Sequence, residues 1–183
     1  MPPDFKSRRA DICKLDLTFA ELFSSNDQKF AAVEDLLISM EKSNINKSVI
    51  MGVGWTDIDI ATEANRYIVE LVNTHPDKLI GFCSVNPMWG RKAVDEIEAC
   101  HSMGLKGIGE LHPDTQNFDI TKFDILEPLM SCARRLDMPI VIHTSEPVGH
   151  EYNGKGNTTP GQVYKLISNF PENIIICAHI GGG

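Results

Sequence analysis

Two apolar runs in this chain end in a histidine: Pro139-Ile-Val-Ile-His143 and Ile174-Ile-Ile-Cys-Ala-His179. A strand buried on both faces reads as such a run, and the carboxyl end of a buried parallel strand is where α/β enzymes place catalytic groups and metal ligands. A third polar group, Glu110, sits in a weaker run that carries glycines, Gly107-Ile-Gly-Glu-Leu-His-Pro113. Brought to one mouth, Glu110, His143 and His179 offer two imidazole nitrogens and a carboxylate. That mixed set suits zinc or a similar divalent ion, and three ligands leave a coordination position for water.

Strand alternation predicts which side chains travel together. Val141, His143 and Ser145 fall on one face, as do Ile175, Cys177 and His179, and Glu110 shares its face with His112. His112 is therefore either a further pocket group or, standing before Pro113, a residue that has already left its strand. The glycine-rich connection after His143 leaves from the same end, where loops hold substrate in βα enzymes. In it, His150, Tyr152 and Lys155 are candidates to bind a polar or anionic substrate group, although a plain surface turn has the same composition. His75 and His101 lie at a helix-ending turn and on a helix, so solvated structural roles are expected of both.

The elements that must position these groups alternate regularly. Phe30, Val33, Leu37 and Met40 mark a helix behind a cap at Asp27, after an irregular start. Strands then begin near residues 48, 79, 107, 139 and 174, with helical spacing between them: Ala61 to Leu71, Val94 to Cys100, Leu126 to Leu136 and Val163 to Phe170. Pro128 is compatible with its helix only in the first turn, and Thr159-Pro160-Gly-Gln162 reads as a capping box with a first-turn proline. A repeat of roughly 30 residues is the size of one right-handed βα unit. The fold class is therefore α/β, as either an open doubly wound sheet or a barrel. Gly52-Val-Gly54 lacks the third glycine of a dinucleotide loop, which favours a (β/α)8 barrel, incomplete because five strands fall short of eight.

Composition narrows the class further. With 183 residues and 42% hydrophobic content, the chain can bury one sizeable core, so a single domain over 1–183 is expected. A net charge of -8 without any basic run longer than two argues against nucleic acid as a partner. No stretch approaches a membrane span or a signal peptide, and five widely spaced cysteines without a Cys-x-x-Cys pair read as reduced thiols. A cytoplasmic protein acting on a small-molecule substrate is the expectation.

Three segments together resemble a known family. Ile-Val-Ile-His143-Thr-Ser-Glu-Pro-Val-Gly-His150, Lys-Gly-Ile-Gly-Glu110-Leu-His-Pro, and Phe170-Pro-x-x-x-Ile-Ile-x-Ala-His179-x-Gly-Gly-Gly are similar to the amidohydrolase-related family, in its aminocarboxymuconate-semialdehyde decarboxylase-like branch. The resemblance implies a distorted barrel with one or two metal ions at its mouth. It implies His143 as the fifth-strand ligand, His179 as the sixth-strand ligand or acid/base, and Glu110 at a position that bridges two metals in some relatives. Metal-assisted hydrolysis of a C–N or related carbonyl bond is the implied chemistry, with decarboxylation on the same site as the alternative. The family's first-strand His-x-His and last-strand aspartate have no counterpart here, so a fragment from the first helix to the sixth strand is expected. Such a fragment is either a non-catalytic remnant or a chain that associates, as a homo-oligomer or with a completing polypeptide.

Overall fold

The computed structural model describes residues 1–25, 27–145, 150 and 155–182. Five strands, β1 (Ser48–Ile50), β2 (Leu79–Cys83), β3 (Gly107–Leu111), β4 (Ile140–Ile142) and β5 (Ile175–Cys177), pair in the order of the chain. Every pairing is parallel. A doubly wound sheet reverses direction at a switch point, whereas a barrel adds each strand beside the last, so this order is an arc of barrel.

The helices between them are α4 (Ile58–Thr74), α5 (Arg91–Ser102), α6 (Phe123–Arg135) and α7 (Pro160–Asn169). They bury one apolar stripe each against the outer face of the sheet. Ile68, Val94, Ile97, Leu126, Leu129 and Leu166 meet Cys83, Ile108, Leu111, Ile140 and Ile142 there. Val141 stays out of this cluster and faces Gly109 across the inner side of the sheet. The pleat thereby separates a helix-covered face from the face that leads to the mouth.

Local signals explain several boundaries. Asp57 caps α4 by accepting from Asp59 and Ile60 N–H groups, and His75 closes it. Thr159 N–H donates to Gln162 Oε1 at 2.9 Å with Pro160 at the first helical position, as the capping box requires. Pro128 instead lies inside α6, at its sixth residue. The buried face formed by Leu126, Leu129, Met130 and Ala133 carries that helix across the missing donor.

The amino-terminal region differs from expectation. It is helical, with α1 (Arg9–Leu15) and α2 (Leu17–Phe23) ahead of α3 (Val33–Lys42). The cap of α3 is not Asp27; Ala32 starts it, its N–H donating to Asp35 at 3.1 Å. Phe5, Phe19 and Trp55 form a second small core with Ile12, Ile60, Ala61 and Ala64. The fully buried Asp16 joins the two parts. One of its oxygens caps α2 at the Phe19 N–H, while the other accepts from Thr56 at 2.6 Å and Asp57 at 2.9 Å. A buried carboxylate holding three backbone donors fixes the loop that leaves β1.

Candidate metal centre

Glu110, His143 and His179 meet at the carboxyl ends of β3, β4 and β5. Glu110 Oε1 stands 2.8 Å from His143 Nδ1 and 3.4 Å from His179 Nε2, and the two imidazole nitrogens are 3.1 Å apart. One ligand atom from each residue lies within 4.8 Å of the others, and this is the group of that kind among the described residues. His143 is buried, Glu110 half-buried and His179 exposed on one side. Two nitrogens and an oxygen aimed at one point, open to solvent on one flank, fit a divalent ion with room for water or substrate.

Simple alternation places only one of the three. Ile140 pairs with Ile175 and Val141 with Ile176, so the strand register puts Ala178, not His179, beside His143 on the inner face. His179 reaches the mouth because its backbone turns left-handed, with φ of 56° at His179 and 55° at Ile180, followed by Gly181 at 87°. Ala178 is pinned just before that turn: its N–H donates to the Ile142 carbonyl at 2.9 Å and its carbonyl accepts from Thr144 Oγ1. The ring is thrown inward by a strained turn on a fixed support.

Glu110 is delivered by a bulge. Ile108 pairs with Ile140 and Leu111 with Ile142, so three steps on β3 match two on β4. Ile108 and Leu111 both enter the helix-covered core as a result, and Glu110 is left on the inner side. Gly109 makes this possible, since its φ is 144° and a Cβ there would stand 2.7 Å from Val141 Cβ.

The three charges sustain one another. Burial pushes the Glu110 carboxyl up, but the bond from His143 and the charges of His143, His179 and His112 outweigh it and hold it below its ordinary value. Burial pushes His143 down, while the bonds to Glu110 and to the Lys155 carbonyl outweigh that and hold the imidazole above its ordinary value. Nδ1 of His143 faces the carboxylate and Nε2 faces the Lys155 carbonyl at 2.8 Å, so both ring nitrogens have acceptors. Without an ion the imidazole and the carboxyl bond each other directly, and each favours the other's charged form.

The remaining candidates divide. His112 is buried with its ring stacked on that of His143, centroids 4.2 Å apart and planes at 19°. It borders the centre. The buried Lys155 meets His143 through its backbone carbonyl, and its ammonium lies 3.4 Å from the His150 carbonyl. His150 itself is exposed, and Tyr152 lies outside the described residues.

Gln116 was not foreseen. Its side chain, 2% exposed, accepts from the His112 N–H at 2.9 Å and donates to the Trp55 and Val85 carbonyls, tying the ends of three strands together. Its partners lie up to 61 residues away, so no local motif marks it.

Residues 20–183 match the amidohydrolase family, and the chain belongs to that family. No curated protein matches it. Among solved structures it resembles 5-carboxyvanillate decarboxylase LigW from Sphingomonas paucimobilis, at 15% identity and a TM-score of 0.74 over 99% of this chain and 65% of that one. It also resembles 4-oxalomesaconate hydratase LigJ from Rhodopseudomonas palustris, at 20% identity and 0.65 over 98% of this chain and 58% of that one. A third is 5-carboxyvanillate decarboxylase from Novosphingobium aromaticivorans complexed with manganese and 4-hydroxy-3-methoxy-5-nitrobenzoic acid, at 18% and 0.64, covering 97% and 61%. The chain thus spans less than two thirds of the length of these structures. At such identities they establish the fold, which is that of an amidohydrolase barrel.

Proposed function

We propose that this chain carries the metal-binding mouth of a metal-dependent enzyme acting on a carbonyl or carboxylate group of a small molecule. Glu110, His143 and His179 are the ligands in this reading. The observation that carries it is the convergence of their three ligand atoms within 4.8 Å on three adjacent strands. A divalent ion held there supplies a Lewis acid for a substrate oxygen and draws the pKa of a water toward ~7.

The residues of the chain do the rest. Glu110 and His143 hold the site rigid, since each is bonded to the other and His143 also to the loop. Where His179 does not itself ligate the ion, its ring, open to solvent on one side, would orient the water and accept or return its proton. His112, packed on His143, borders the centre, and His150, Tyr152 and Lys155 are the residues proposed to bind a polar substrate group.

Hydrolysis of a C–N or related carbonyl bond is the first reading. Decarboxylation is the second, favoured because two of the similar structures are decarboxylases of an aromatic acid. Zinc suits the nitrogen and oxygen donors, while the manganese in one similar structure makes that ion the alternative.

Metal content and affinity of the purified chain test the centre. Stoichiometric zinc or manganese, lost in both His143→Ala and His179→Ala, is the expected result. Binding that survives both substitutions would sink the assignment. Assays of carbon dioxide release from aromatic acids and of amide cleavage, on the loaded protein, then separate the two chemistries.

A further inference from the structure

The described end of the connection between β4 and α7 lies against His143. Its residues 155–158 fold back as a strap across His143. The strap is held on the inside by Ser145, whose N–H donates to the Thr158 carbonyl at 2.9 Å and whose hydroxyl donates to the Lys155 carbonyl. On the outside it is held by Asp114, which follows β3. One Asp114 oxygen accepts the Asn157 N–H at 2.8 Å, and the other accepts the Asn157 side-chain amide, also at 2.8 Å. Between these anchors runs Gly156, with φ of 69°, so close that a Cβ would stand 2.7 Å from Asp114 Oδ2 and 3.2 Å from His143 Cδ2.

We propose that Asp114 is a positioning residue for His143. It clamps the strap so that the Lys155 carbonyl takes the Nε2 proton and Nδ1 is left facing Glu110 and His179. The inference rests on the reading of those three residues as ligands, and it extends the centre to a residue that touches no ligand atom. The chemistry is that of an outer partner fixing a tautomer. A histidine can give a metal only the nitrogen that bears no proton, and the hydrogen bond at the other nitrogen decides which that is. A carboxylate with two donors in a fork is a strong clamp for its size, because both bonds are charge-assisted.

The experiment uses protein with 15N-labelled histidine, the ring N–H resonances of His143 being assigned by their loss in His143→Gln. In the wild type the Nε2–H of His143 is expected to be protected from exchange and visible, bonded to the Lys155 carbonyl. In Asp114→Ala it is expected to broaden, and zinc or manganese affinity to fall ~10–100-fold, the usual effect of losing such an outer partner. Asn157→Ala keeps the negative charge of Asp114 but removes one of the two bonds, so it should move both readouts in the same direction by less. Thermal melts of the variants confirm that each is folded.

A protected Nε2–H in folded Asp114→Ala overturns the proposal whatever the metal does. An affinity loss in Asp114→Ala with none in Asn157→Ala also overturns it, since the effect would then be charge alone. If the wild type binds no ion while the Nε2–H still depends on Asp114, the metal reading fails and the positioning of His143 by the strap stands.

Discussion

At the scale of the residue, the proposed centre sets protons and an ion in competition for the same nitrogens. His143 is held above its ordinary value of ~6.5 and Glu110 below its ordinary ~4.3. The ion-free pair therefore stabilises the fold fully between those two ordinary values. On the alkaline side that contribution is lost as the pH rises through the raised value of His143, and on the acid side as the pH falls through the lowered value of Glu110. A metal must displace the proton on Nδ1, so affinity should strengthen by about tenfold per pH unit until the pH passes the raised value of His143 and then level off. Chelator competition between pH 6 and 9 measures this, and a flat profile would mean that His143 is not a ligand. The identities of Glu110, His143 and His179 were legible in the sequence because each places a polar group at the end of an apolar run. Gln116, Asp16 and Asp114 were not, since the distant partners that mark them lie 31 to 61 residues away and polar residues in loops look alike.

At the scale of the element, the site depends on two departures from ideal strands. The helices between the strands and the five strands could be read from periodicity, unlike α1 and α2, and the capping box at Thr159 from four consecutive residues. Alternation also predicts that Glu110 and His112 share a face. It failed for His179, because the left-handed turn after Cys177 reverses the side predicted by the pleat. Such a turn has no signature when its first two residues are His179 and Ile180 rather than glycine. The bulge is the more testable device. Gly109→Ala puts a methyl group against Val141 at a φ that alanine avoids, and overpacking of this kind costs ~1–3 kcal/mol. The denaturation midpoint should fall accordingly, and metal affinity should fall with it as Glu110 swings off the inner face. Unchanged metal affinity in a folded Gly109→Ala would show that the bulge does not aim the carboxylate.

At the scale of the whole molecule, the sheet ends in two strands, β1 and β5, that have a neighbour on one side only among the described residues. Their inner-face residues, Val49 and Ile176, are 45% and 43% exposed. Beside β1 a cavity of about 380 Å³ runs between the strand and its helices, lined by Val49, Leu36, Tyr67, Ile68 and Trp55. The Trp55 indole N–H, fully buried there, finds no acceptor among the described residues. Unpaired strand edges with apolar side chains are templates for pairing, and proteins ordinarily blunt them with charge or cover them. This chain has isoleucine and valine where a lysine would protect. Its net charge of -8 opposes association only over roughly a Debye length, ~8 Å at physiological salt, too short to protect an edge once two copies touch. Sedimentation velocity on the isolated chain should therefore show association that grows with concentration and with salt. Val49→Lys with Ile176→Lys should shift it toward the monomer while leaving the helix-covered core, and hence the thermal midpoint, nearly unchanged. A sharp monomer at all concentrations would mean that the two edges are satisfied within the chain, and that the sheet is more complete than five strands.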